Sequence, residues 1–187
     1  MSGRFKFVGT PLPGLTVLER LPIHDHRGMF ERLFCQDELS VLLGGGSIVQ
    51  INHTLSVKQG LVRGLHFQRQ QYSEIKFVSC MRGQVFDVAV DLRKDSPTFL
   101  RWHAEVLSAD NYRTMVIPKG FAHGFQALTS DCELYYFHTA PYCSEAEDGL
   151  NARDPRLAIA WPLPIAEQSQ KDLGYPMLNS DFMGIVA

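Results

Sequence analysis

The chain has 187 residues, 45% of them hydrophobic and 20% charged, which suits one domain with a substantial core and excludes wholesale disorder. Its 18 basic and 20 acidic residues leave a formal charge of -2 without a basic cluster, which argues against nucleic acid as the main partner. No stretch approaches the roughly 20 apolar residues of a membrane span, and Met1-Ser2-Gly3-Arg4-Phe5-Lys6 lacks the apolar run of a signal peptide, so a cytoplasmic setting without a membrane partner is expected. Cys35, Cys80, Cys132 and Cys143 show no C-x-x-C spacing and are read as free thiols.

Along the chain, turn signals come first at Pro11, Pro13-Gly14 and Asp25-His26-Arg27-Gly28, with a short apolar strand, Leu15–Leu18, among them. Asp37 to Leu43 has a helical pattern that Gly44-Gly45-Gly46 ends. Strands dominate after that. Val49 to Thr54 alternates, which puts Gln50, Asn52 and Thr54 on one face. Leu61 to Gln68 places Gly64, His66 and Gln68 on one face, with Arg63 near the rim and Gly64 leaving room for a ligand. Ile75 to Cys80 carries Lys76 and runs to a turn at Arg82-Gly83, and Val85 to Leu92, apolar nearly throughout, reads as a central strand. Ser96-Pro97-Thr98 turns into a strand from Phe99 to Leu107, Asn111 to Ile117 forms the next, and Pro118-Lys119-Gly120 turns into Phe121 to Leu128. Glu133 to Thr139 is aromatic-rich, with Leu134, Tyr136 and His138 on one face. Short strands with Gly, Pro and Asp punctuation every ten residues or so indicate an all-β sandwich or barrel, in one domain over residues 1–187. The tail from Asp154 to Asp172 is expected to wrap the barrel and close its mouth.

Five polar groups stand in apolar or strand contexts or in the tail: His66, Lys76, His123, Tyr136 and Asp172. Taken singly, each has a simpler explanation in packing, an ion pair with Glu74 (for Lys76) or a surface helix or turn (for Asp172). A metal site can be tested on spacing. Metal-binding barrels of the cupin type resemble this chain in the turn Pro118-Lys119-Gly120-Phe121-Ala122-His123, but their His-x-His cluster becomes His66-Phe67-Gln68 here. Two histidines and a distant Glu74 are fewer ligands than a divalent site normally uses, so no metal is expected.

The ordered set Asp25-His26-Arg27-Gly28-Met29-Phe30, Gln50-Ile51-Asn52, Arg63 to Gln68, Lys76, Phe86 to Arg93, Ser96 to Phe99, Ile117 to Phe125, Tyr136, Asp154-Pro155, Trp161-Pro162 and Ser169 to Asp172 resembles the dTDP-4-dehydrorhamnose 3,5-epimerase family. The resemblance covers about Asp25 to Asp172. It implies a cupin-type antiparallel jelly-roll barrel with short flanking helices, a homodimer, no cofactor, and epimerisation of a nucleotide-linked 4-keto-6-deoxy sugar. Carried over, it makes His66 the catalytic base, Asp172 the carboxylate that orients it, Tyr136 the general acid and Lys76 the group that stabilises the enolate oxygen. Arg63 and Arg27 would hold the diphosphate, Gln50, Asn52 and His123 would line the sugar pocket, and Phe30 would join the substrate contacts.

These residue types suit the chemistry. A C4 ketone acidifies the hydrogens on C3 and C5, and histidine, titrating at about 6.5, is an efficient base near neutral pH. Inversion needs a second acid across the ring, and an ammonium at the developing oxyanion supplies electrostatic stabilisation. Three departures bear on substrate choice. Arg32 stands where the family commonly carries a glutamate, with Glu31 one position early, so CDP is kept as an alternative to dTDP. Asn151-Ala152-Arg153-Asp154-Pro155 lacks the usual tryptophan, and Pro141 replaces an aromatic, which bears on whether C3, C5 or both are inverted. The rival readings are a sugar-nucleotide 3,4-ketoisomerase and a non-catalytic sugar-binding cupin.

Overall fold

The computed structural model describes residues 3–186. Its strands are β1 (Phe5–Gly9), β2 (Thr16–Arg20), β3 (Ile23–Asp25), β4 (Gly28–Phe30), β5 (Gln50–Ser56), β6 (Val62–Gln68), β7 (Lys76–Arg82), β8 (Gln84–Asp91), β9 (Trp102–Ser108), β10 (Arg113–Ile117), β11 (Phe121–Ala127), β12 (Cys132–His138) and β13 (Glu147–Gly149). A short helix, α1 (Gln170–Gly174), follows near the C-terminal end.

Two antiparallel sheets face each other: β1-β2-β10-β7-β12-β5 and β13-β6-β11-β8-β9. The β3–β4 hairpin stands apart as a third, two-stranded sheet. This is the expected antiparallel jelly-roll barrel. Between the sheets one end is filled by an apolar plug that includes Leu15, Val78, Cys80, Val85, Leu107, Met115, Phe125 and Leu134. The outer faces are covered as well. Leu39 and Leu43 pack with Phe5, Leu18, Phe77 and Phe137 outside the larger sheet. Leu150, Leu157 and Ile185 from the tail pack with Leu65, Val88, Val90 and Leu92 outside the smaller one. Burial on both faces explains why β8 and β11 carry buried apolar residues at successive positions, as in Val88-Ala89-Val90 and Phe121-Ala122, instead of alternating.

The helix expected over Asp37 to Leu43 is instead a series of turns with a single 3-10 turn at Ser40–Leu42. Leu39 and Leu43 are both buried against the sheet, so anchoring them, rather than helix propensity, sets the local shape. The α-helix lies in the tail at Gln170–Gly174, a stretch that the sequence left open as a surface helix or a turn. The strand expected from Phe99 starts at Trp102, because backbone bonds from Phe99 and Arg101 to Ser96 and Thr98 prolong the turn. Among the described residues no helix is long and apolar enough to cross a membrane.

Candidate active site

The open end of the barrel holds a cavity of about 420 Å³, lined from both sheets and from the tail. On the smaller sheet, antiparallel pairing of β6 with β11 sets His66 opposite His123. The ladder shifts register between His123 and Phe125, at Gly124. A Cβ on Gly64 would lie 2.7 Å from the Gly124 Cα and the His123 carbonyl oxygen, and its φ is +109°. Gly64 therefore admits the neighbouring backbone, not a ligand, and this corrects the expectation that it leaves room in the pocket.

Each of these histidines is held by a carboxylate. His66 Nε2 is 2.7 Å from Asp172 Oδ1, and the other oxygen of Asp172 accepts the Gly64 N–H at 3.3 Å. Asp172 is fixed in turn by α1, whose N-cap Ser169 accepts the Asp172 N–H at 3.0 Å. Burial alone would push the Asp172 carboxyl up, but the hydrogen bond and charge of His66, with the Gly64 and Ser169 contacts, hold it below the ordinary carboxylate value. An ionised Asp172 accepts the proton on Nε2, leaving Nδ1 of His66 as the basic nitrogen. Tyr175 sets its ring edge-on to the imidazole, 5.9 Å between centroids. His123 is fully enclosed, with Nε2 2.7 Å from Asp87 Oδ1. Burial lowers its proton affinity against the pull of Asp87, and the nearby charges of Lys76 and His66 lower it further, so it stands neutral.

The larger sheet supplies the facing wall. Tyr136 on β12 packs edge-on to His123 and stacked on His138, and Thr54 points its hydroxyl at the phenol oxygen from 3.5 Å. Burial raises its pKa above the ordinary tyrosine value, which keeps the phenol protonated at neutral pH. Lys76 begins β7 and lies 3.3 Å from Glu74. Gln50 and Asn52 on β5 bond each other at 3.3 Å, and Gln50 accepts the Tyr142 N–H at 2.9 Å. Arg63 stands at the rim, bonded to Ser56 Oγ at 3.2 Å.

Thus His66, Tyr136, Asp172, Lys76, Gln50, Asn52, Arg63 and His123 share one cavity. Arg27 and Phe30 do not line it: they lie on the exposed β3–β4 hairpin, where Arg27 pairs with Asp25. Glu31 is tied to Arg20 at 2.7 Å, with both side chains nearly buried, and Arg32 pairs with Glu38. The cavity also takes in His138, Tyr142, Glu147 and Lys171, which were not singled out from the sequence as site residues. Lys171 carried one available signal, being adjacent to Asp172, while Glu147 reaches the cavity only through the pairing of β13 with β6. Among the described residues no group of three or more His, Cys, Asp or Glu side chains is gathered as a metal-ligand set.

Comparison with known proteins places the chain in a family. The family model for dTDP-4-dehydrorhamnose 3,5-epimerase matches residues 9–180. The enzyme of that name from Salmonella typhimurium is 41% identical over 174 residues, covering 92% of this chain and 94% of that protein. The one from Escherichia coli K12 is 44% identical over 156 residues, covering 83% and 84%. Among solved structures, the Legionella pneumophila dTDP-6-deoxy-D-glucose-3,5-epimerase, in complex with dTDP-4-keto-L-rhamnose, aligns with a TM-score of 0.90 at 36% identity, covering 98% of this chain and 99% of that one. A 3'-monoepimerase from Streptomyces bikiniensis, in complex with dTDP-quinovose, aligns with a TM-score of 0.82 at 30% identity, covering 90% and 85%. With the model match spanning nearly the whole barrel and its tail, the chain belongs to the dTDP-4-dehydrorhamnose 3,5-epimerase family and is an isomerase.

Proposed function

We propose that the protein inverts C5, C3 or both of a dTDP-linked 4-keto-6-deoxyhexose by proton transfer through an enolate. The observation that carries this reading is the placement of a carboxylate-oriented base, His66, on one wall and a protonated phenol, Tyr136, on the other. Nδ1 of His66 takes the proton from the carbon beside the ketone, and the electron pair moves onto O4 as the enolate forms. Lys76 meets the charge on O4, and Tyr136 returns a proton to the opposite face of the same carbon. Arg63 and Lys171 bring positive charge to the mouth, where the diphosphate would lie. Gln50, Asn52 and His123 line the sugar end. The dTDP assignment rests on the nucleotide that the related structures hold. Arg32, tied to Glu38, gives no ground for preferring CDP.

We also infer a homodimer. β5 is the edge strand of the larger sheet, and the outward-facing Val49, Ile51, Leu55 and Val57 along it are all exposed. An apolar edge of this length in a soluble fold calls for a cover, and a second copy meeting it about a twofold axis supplies one. We infer further that the β3–β4 hairpin, whose Arg27 and Phe30 are exposed and lie outside the cavity of their own chain, serves the partner's cavity.

The test is a time course in heavy water with dTDP-4-keto-6-deoxyglucose, followed by NMR and run after dialysis against EDTA. A stereoisomer carrying one or two deuterons is expected, and the count tells single from double inversion. A migrated carbonyl would mark a ketoisomerase, and binding without change a sugar-binding cupin. Turnover lost to EDTA and restored by a divalent metal would replace the mechanism.

A further inference from the structure

The cavity contains a third histidine–carboxylate pair, His138 with Glu74, that the reaction described above leaves without a task. β12 lies between β5 and β7, and the register sets His138 opposite Gln50 on one side and Lys76 on the other. Side chains paired this way across antiparallel strands are within contact reach. His138 Nδ1 is 2.7 Å from Glu74 Oε2, and its Nε2 is 3.4 Å from Asn52 Nδ2. An amide nitrogen only donates, so Nε2 accepts and the Nδ1 proton goes to the carboxylate. The other oxygen of Glu74 is 3.3 Å from Lys76 Nζ, well beyond the roughly 2.7–2.9 Å of a closed ammonium–carboxylate bond. The side chains of His138, Glu74 and Lys76 are 9%, 10% and 13% exposed, so their charges are little screened.

One carboxylate is therefore shared between an imidazole and an ammonium. We propose that His138 is a positioning residue that holds Glu74 through its Nδ1 proton and so keeps this carboxylate from closing onto Lys76. An ammonium closed onto a carboxylate presents a dipole to the substrate, whereas a loosely paired one presents most of a positive charge. Glu74 balances the buried cation, and His138 keeps that balance from becoming neutralisation. Burial would raise the Glu74 carboxyl, but the His138 hydrogen bond and the Lys76 charge bring it below its ordinary value, so the contested group is an anion. The proposal rests on the reading of Lys76 as the group that faces O4 of a 4-keto sugar.

Steady-state kinetics of four proteins test it: wild type, His138→Leu, His138→Asn and the double variant Glu74→Gln/His138→Leu. His138→Leu is expected to lower kcat roughly tenfold or more with KM within about threefold, because only charge development at O4 is affected. His138→Asn, whose amide N–H overlies Nδ1, should stay within about threefold of wild type. The double variant should recover most of the lost kcat, since a neutral glutamine cannot quench Lys76. A wild-type kcat for His138→Leu, or a double variant as slow as the single one, overturns the proposal. If His138→Leu does not fold, His138→Asn is compared with His138→Gln, whose amide overlies Nε2 instead, and equal kcat values overturn it. A wild-type protein that leaves the 4-keto sugar unchanged sinks the functional reading itself, which is a different result from active enzyme indifferent to position 138.

Discussion

His66 and Tyr136 come from different sheets, and their environments suit them to opposite halves of one proton exchange. His66 is partly open to the cavity and borrows orientation from Asp172, whereas Tyr136 is enclosed and held neutral by burial. Both were legible in the sequence, but only through the family's ordered motifs, because a strand histidine and an aromatic strand tyrosine are ordinary core residues when taken alone. The separate roles proposed for them can be read from solvent exchange. His66→Ala is expected to abolish deuterium uptake at every carbon the enzyme attacks, a loss of several powers of ten, because the other carboxylate-held histidine of its wall, His123, is buried and its proton affinity is lowered. Tyr136→Phe should keep some uptake while losing nearly all inversion, since deprotonation survives and delivery from the far wall does not. Full epimerisation by the Tyr136 variant would assign the acid role to another group.

At the scale of elements, the strands were readable because most alternate in polarity or end in Gly, Pro and Asp turns. What failed to show was decided by tertiary contacts. The leucines at 39 and 43 follow a helical spacing, yet each is pinned to the sheet, and the chain between them turns. α1 is five residues long, too short for a periodic signal, and it exists because Ser169 caps it and Asp172 is anchored to Gly64 and His66. The β3–β4 hairpin is the other case. Its turn was expected, but its side chains lie away from the cavity of their own chain. If the hairpin serves a partner's site, two inactive proteins should complement one another. His66→Ala and the double variant Arg27→Ala/Phe30→Ala, refolded together in equal amounts, would give mixed dimers with one site carrying both defects and one carrying neither. Roughly a quarter of the sites are then intact, and activity should return to about that fraction of wild type. Mixtures no more active than their components would place the hairpin in service of its own chain.

For the molecule as a whole, the barrel encloses ionisable groups whose buried states fix its response to pH. His123 is held neutral, so its unfolded form binds a proton first as pH falls through the ordinary histidine value of 6.5. Stability from this group is complete above that value and lost below it. Asp172, Glu74 and Asp91 each stand below ordinary values of 3.8, 4.5 and 3.8, because hydrogen bonds and cations outweigh burial. Their contribution is complete above those values and is lost as pH falls through the lower folded ones. At the alkaline end burial pushes the Cys80 thiol from 9.0 to about 12, and Tyr136 above 10.0, so the folded state keeps protons that the unfolded chain releases. That stability is complete below 9.0 and declines above it. Thermal melting across pH should therefore show a plateau between about 6.5 and 9, a shallow fall below 6.5, and a steep one below about 4.5. The shallow limb belongs to one residue. His123→Gln keeps a donor toward Asp87 but cannot gain a proton, so the plateau should extend down to about 4.5 in that variant. A limb that persists unchanged would mean that His123 does not carry the loss, and that another group buried neutral does.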